Sequence, residues 1–445
     1  MTRKYAQTLI ALILLTGLYA GFTYYNRRKS REQPKTETST QQKLVSLDSA
    51  HVQSITFQPQ DGDVVKCQRV GGKWAIVEPK KLDADQSAVS TLLSTLTSAT
   101  VDDVVDPHPT NLKDFGLDPP AYKLELTSDS KPAQVSLLLG GDTPTGGDLY
   151  AQVAGNPQVV TIPTYMKTSL EKKLFDLRDR RALTLDADQI QRITTDYKGK
   201  KWTLEKNPEG VWDLVLPPAV RADRFTVEGL ISSLRGLTMQ SIASDEKKNL
   251  GSYGLSSPEL RVDLSGAGGT QTLLMGKKDK EGERYFAANS ALDSVFTLGS
   301  DFRTQFEKDA ADLREKDLFT FSNFEVKHLE VDSPKGHQVF DQQKNQWKQA
   351  APSAKNVDSA KMDTFLGALR DLRADSFPKG GDLAQYGLTK PAYRFVVKFG
   401  EKNQTETVEI GKVGDQLYAR RATDRLPCEL SKTALDEVAK ALAAL

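Results

Sequence analysis

The feature that most constrains this chain is its internal recurrence. The string Gly72-Lys73-Trp74, followed by Pro79, Asp85 and the run Val89, Leu92, Leu93, Leu96, returns as Val211-Trp212, Pro217, Asp223 and Val227, Leu230, Ile231, Leu234. It returns again as Gln346-Trp347, Pro352, Asp358 and Met362, Phe365, Leu366, Leu369. Three further anchors keep the same order. An aromatic-Gly-Leu string stands at Phe115-Gly116-Leu117, Tyr253-Gly254-Leu255 and Tyr386-Gly387-Leu388, with Pro119, Pro258 and Pro391 close behind. Leu139-Gly140, Met275-Gly276 and Ile410-Gly411 follow, and then Tyr150-Ala151, Tyr285-Phe286 and Tyr418-Ala419. The period is about 135 residues, far longer than a solenoid unit, so each copy is a small domain. A chain of 445 residues has room for three of them.

Each copy reads as α+β. It opens with strands such as 54–57, 64–70 and 73–77, with Gly62 and Gly71-Gly72 supplying the turns. The recurring tryptophan sits on the third strand and packs on the helix that follows. Asp85, Asp223 and Asp358 stand at N-cap positions, where a carboxylate accepts from the free N–H groups of the first turn. The apolar residues after each fall at i, i+3, i+4 and i+7, one buried helical face. The aromatic-Gly-Leu string reads as a helix stop with glycine at C′. Alternating strands follow: Tyr122, Leu124, Leu126 and Val135, Leu137, Leu139, with Leu260, Val262, Leu264 and Phe395, Val397, Phe399 in the later copies. Alternation of this kind marks an antiparallel sheet with one solvated face. A helix from Thr164 to Leu174 ends the first copy. Asp176-Leu177-Arg178-Asp179-Arg180-Arg181 and Asp312-Leu313-Arg314-Glu315-Lys316 lie at the two junctions and read as salt-bridged joints. The domains span 44–182, 183–320 and 321–445.

Ahead of them lie a short tail (1–4), an uncharged apolar run (5–25) and a polar stretch (26–43). The run would extend about 31 Å as a helix, which matches the roughly 30 Å hydrocarbon core of a bilayer. Tyr5, Tyr24 and Tyr25 occupy interfacial positions. The run reads as one transmembrane anchor in contact with membrane lipid. A cleaved signal peptide is the competing reading, weakened by the length of the run and by the lack of an Ala-x-Ala-like site. Arg27, Arg28, Lys29 and Arg31 nearly balance Arg3 and Lys4 across the span. A short tail before a large domain is the layout of an exported one, so the copies are expected outside a bacterial cytoplasmic membrane. The polar stretch reads as a flexible stalk.

A search for chemistry yields no catalytic, cofactor-binding or metal-ligating residue. Gly140 to Gly147 lacks the Gly-Lys-Ser/Thr ending of a phosphate loop and reads as a hairpin turn, with Gly266 to Gly269 as its second-copy counterpart. Among His51, His108, His328 and His337 no two have helical metal-ligand spacing, although His328 and His337 could face each other across a hairpin. Cys67 and Cys428 are neither a disulfide framework nor a ligand set. The formal net charge of +1 gives no field for nucleic acid. What the copies share serves the fold, so function belongs to what differs between them, to the grooves, or to the anchor.

Taken together, the ordered set resembles the bacterial domain-of-unknown-function family 4340. It comprises Trp, Pro, Ala84-Asp85 or Ala222-Asp223, the aromatic-Gly-Leu string, Leu-Gly, Tyr-Ala and Leu-Arg-Asp-Arg. Phe115 replaces the usual tyrosine in the first copy, Val357 replaces alanine in the third, and the third copy lacks the terminal Leu-Arg-Asp-Arg. The resemblance implies a membrane-anchored protein associated with ABC-type transport systems of the gliding-motility auxiliary kind, and no catalytic residues. The expected function is therefore a non-enzymatic accessory or scaffold whose partners are ABC transporter subunits or other envelope proteins. Two alternatives stand beside it: an extracytoplasmic glycan- or peptide-binding module, and an envelope hydrolase using inter-domain carboxylates.

Overall fold

The computed structural model describes residues 42–215, 219–344, 346–378 and 380–445. The expected membrane span at 5–25 and Pro217 lie outside the described residues. Among those described, no helix is long and apolar enough to cross a membrane.

Three nine-stranded antiparallel sheets carry the fold, and all three have the same strand order. In the first, Leu82–Asp83 lies at one edge, followed in space by Lys73–Glu78, Val65–Val70 and Val52–Pro59. The sheet then continues through Tyr122–Ser128, Gln134–Asp142, Asp148–Val153, Val159–Pro163 and Asp103–Asp106. Two meanders thus meet where the first strand pairs with the sixth. The connection between them carries the module's main helix, Gln86–Ser98, Arg224–Arg235 or Ser359–Arg370. The α+β class and three similar modules follow directly. The chain divides into two compact units, one ending at Asp179 and the other running from Arg180 to Leu445 with the second and third modules.

The helices form where the sequence places them. Asp85 accepts from the N–H groups of Ser87 and Ala88, Asp223 from Thr226, and Asp358 from Ala360 and Lys361. Val89, Leu92, Leu93 and Leu96 are buried, as are Met362, Phe365, Leu366 and Leu369, so each helix covers one sheet face. Each sheet keeps its own apolar core.

The aromatic-Gly-Leu string ends a short 3-10 helix in every module, with Gly116, Gly254 and Gly387 in the left-handed region. The second glycine has a separate reason. A Cβ on Gly140, Gly276 or Gly411 would stand 2.2 Å from the carbonyl oxygen of Phe115, Tyr253 or Tyr386. The two glycines therefore let this loop lie directly on the sheet. Its aromatic ring then meets one from the sheet, with centroids 5.1 Å apart for Phe115–Tyr150, 5.0 Å for Tyr253–Phe286 and 4.8 Å for Tyr386–Tyr418.

That contact corrects one expected register. Phe286-Ala287, not Tyr285-Phe286, corresponds to Tyr150-Ala151 and Tyr418-Ala419, because Leu139, Met275 and Ile410 pair with Ala151, Ala287 and Ala419. The glycine loops are corrected as well. Gly266 to Gly269 closes the hairpin one step earlier, whereas the counterpart of the loop after Gly140 follows Gly276, at Asp279 to Gly282. His328 and His337 do not face each other. His328 lies across from Asp341, with Nδ1 2.7 Å from its carboxylate, and His337 lies across from Asp332 at 2.6 Å. The expected helix from Thr164 to Leu174 stops at Leu170 and resumes as one turn over Leu174–Leu177. The break lets the Lys172 carbonyl accept from the Tyr122 hydroxyl at 2.5 Å and returns Leu177 to the core.

The junction segments are backbone devices. The Leu177 carbonyl accepts from Asp85 N–H and the Asp83 carbonyl from Asp179 N–H, both at 2.8 Å, so the segment adds to the edge strand of its own module. In the second module the Leu313 carbonyl accepts from Asp223 (2.8 Å), and the Arg221 carbonyl from Glu315 (3.0 Å). The chain then joins the next helix end: Leu318 N–H donates to Leu372 O and Ala374 N–H to Lys316 O. Just beyond the second segment, Arg373 and Asp317 pair at 2.7 Å. Arg314 instead lies over the Phe377 ring at 3.7 Å.

Candidate functional site

Three modules built alike differ in how they close the space between the tryptophan strand and the main helix. In the first, Gln86 fills it. Its carboxamide oxygen accepts from Trp74 N–H at 2.8 Å, while its nitrogen donates to the carbonyls of Trp74 (2.8 Å) and Ala84 (2.9 Å). Trp74 is buried, and so is Trp347 in the third module. In the second module the first helical residue is Arg224 in place of glutamine. No equivalent clamp forms, and Trp212 stays half-buried at the base of a cleft of about 670 Å³. That volume lies in the range of small-ligand and side-chain pockets.

The floor is apolar: Trp212, Val211, Ala222, Val227 and Ile231. The walls are charged. Lys206 places its ammonium 5.2 Å from the Trp212 ring centre, as Arg69 lies 4.9 Å from Trp74 in the first module. Arg235 hydrogen-bonds Asp188, and that bond is the main reason the Asp188 carboxyl titrates below its ordinary value. Arg224 and Glu228 stand 4.0 Å apart one helical turn along. Arg221 lines the cleft with no side-chain partner among the described residues. The Trp212 carbonyl accepts from Ala222 N–H at 3.0 Å, and among those residues no side chain accepts from the Trp212 N–H as Gln86 does from Trp74. The cleft therefore offers an aromatic face and an excess of positive charge. This arrangement is suited to binding.

Of the residues singled out in the sequence, Val211, Trp212, Ala222, Val227 and Ile231 come together here, and Asp223 caps the helix beside them. Lys206, Arg221, Arg224, Arg235 and Asp188 were not anticipated. The available signal was the exchange of Gln86 for Arg224 between aligned copies. A second space, of about 640 Å³, lies in the first module beside Tyr122 and Glu171. Burial raises both groups above their ordinary titration range, and Tyr122 is held by its bond to Lys172 O. Among the described residues no three metal-ligating side chains converge. Both thiols, Cys67 and Cys428, are buried and free, and burial pushes each up to about 12.

Comparison with curated proteins and with solved structures returned no match. The sequence profile of one family, Domain of unknown function (DUF4340), matches residues 74–214 and 212–391. The first match begins at Trp74, and the second begins at Trp212, so the strand that floors the cleft opens the second matched region. Together the two regions cover well over half of the chain, and the protein belongs to the DUF4340 family.

Proposed function

We propose that the protein is a membrane-tethered, non-enzymatic accessory or scaffold subunit of an ABC-type transport system, with its modules on the outer side of a bacterial cytoplasmic membrane. The observation that carries this reading is the second-module cleft, an apolar floor around Trp212 rimmed by Lys206, Arg221, Arg224 and Arg235. An aromatic anchor inside a charged rim is the chemistry of a protein-docking site. The family resemblance supplies the kind of machinery, and the apolar run at 5–25 supplies the tether. Glycan binding would call for a strip of aromatic side chains, whereas among the described residues Trp212 is the single aromatic side chain lining this cleft. A hydrolase would call for converging carboxylates, whereas Asp188 and Glu228 are each matched to an arginine.

Two experiments test the proposal. Affinity purification of the tagged full chain from membranes should recover transporter subunits; their consistent absence would overturn the accessory role. A phosphatase fused after Leu445 should be active, and activity only of a cytosolic reporter at that position would refute the stated orientation.

A further inference from the structure

Resting on that docking reading, we infer that the second-module cleft is a binding site for an acidic peptide segment of a partner protein, and that Gln86 of the first module shows in cis how such a segment is held. The comparison is internal to the chain. In the first module a carboxamide oxygen takes the Trp74 N–H at 2.8 Å. In the second module the corresponding Trp212 N–H has no side-chain acceptor among the described residues, and the residue that would have supplied one is Arg224.

The missing group is therefore a side-chain oxygen acceptor, and the surroundings say which kind. Four cations, Lys206, Arg221, Arg224 and Arg235, line the space with two acids, Asp188 and Glu228. Both acids already have an arginine beside them. Arg221 has no side-chain partner among the described residues, and Lys206, which acts on Asp188 only at longer range, forms no ion pair there, so both can meet an incoming negative charge. A carboxylate stands in for the Gln86 oxygen and meets these cations together, and charge-assisted bonds of this type are stronger than neutral ones. The floor of Trp212, Val227 and Ile231 asks for an apolar neighbour. A peptide in which glutamate or aspartate alternates with leucine-like residues meets both demands. Among its described residues the third module shows no such site: Ser359 replaces the arginine, and Trp347 is only 3% exposed.

The test uses the full chain and a fluorescently labelled peptide of alternating leucine and glutamate, beside the same peptide with glutamine for glutamate. Fluorescence anisotropy should show binding of the acidic peptide and weaker binding of the neutral one. Arg224→Gln recreates the first module's clamp and should close the cleft, weakening the acidic peptide by about ten-fold or more. Arg221→Glu should weaken it comparably, which guards against an effect peculiar to one variant. The inference is overturned if the acidic peptide fails to bind at millimolar concentration, if both peptides bind alike, or if Arg224→Gln binds as well as the wild type. Purification of the wild type from membranes separates the two proposals. Transporter subunits recovered from wild type although the acidic peptide fails to bind would leave the accessory role standing and overturn the peptide site alone.

Discussion

Gly276 has no room for a methyl group. Its added Cβ would meet Tyr253 O at 2.2 Å and the carbonyl carbon of Gly254 at 2.9 Å, both backbone atoms of a loop already held in place by the Tyr253–Phe286 ring contact. Gly276→Ala should therefore cost about 3 kcal/mol, read as a lowered urea midpoint. A midpoint unchanged from wild type would mean that the loop lifts off the sheet at little cost. The thiols give a second prediction at this scale. Burial raises Cys67 and Cys428 to about 12, whereas an unfolded thiol titrates near ~8.5. A group raised on folding stabilises fully below its unfolded value and loses that contribution as pH climbs toward the folded one. Stability should therefore fall between about pH 8.5 and 12, with part of the slope lost in a Cys67→Ala, Cys428→Ala double variant. Melting curves across that interval measure it, and equal slopes in the two proteins would refute it. A thiol reagent at pH 8 should label neither cysteine before unfolding.

At the scale of the element, the three capping aspartates make the most transferable claim. Asp358 accepts from Ala360 N–H at 2.8 Å and Lys361 N–H at 3.1 Å, so Asp358→Ala should cost about 1 kcal/mol, and Asp358→Asn much less. Thermal melts of the two variants decide this; equal loss in both would point to charge rather than to capping. These helices were legible because cap and periodicity agree, two independent signals for one element. The register after Gly276 was not. Tyr285 and Phe286 are adjacent aromatics on opposite faces of a strand, and the pairing shifts between Met275 and Lys278. Composition alone does not say which ring meets Tyr253. The single-turn elements around Thr164 to Leu177 escaped for a related reason: a tertiary bond from Tyr122 interrupts a locally helical pattern. The cleft was the least legible feature. Exchange of Gln86 for Arg224 looks like ordinary surface variation until the Gln86 side chain is found on the Trp74 backbone. The expectation that function lies where copies differ directs attention to exchanges of this kind without naming one.

At the scale of the whole molecule, the question is where one folding unit stops. The segment 176–179 lies between modules in sequence, and a linker there would be dispensable. Its contacts say otherwise. Leu177 is fully buried in the first core, its carbonyl holds Asp85 N–H at 2.8 Å beside the helix N-terminus, and Asp179 N–H holds the Asp83 carbonyl. The compact unit likewise ends at Asp179. Near the first described residues Leu44 N–H donates to Ala99 O, so the described stretch is paired into the module at both ends. A fragment of residues 42–179 should thus unfold cooperatively on its own. A fragment of residues 42–175 should be less stable by about 3 kcal/mol, because it loses a buried leucine and leaves the edge strand and the capping residue without their backbone partners. Circular dichroism during denaturant titration compares the two. Equal midpoints would mean that the Leu-Arg-Asp segment is a tether after all. A gap of the expected size would make it the last structural element of its module, which is why it recurs at Leu313-Arg314-Glu315 against the Arg221 edge that walls the cleft.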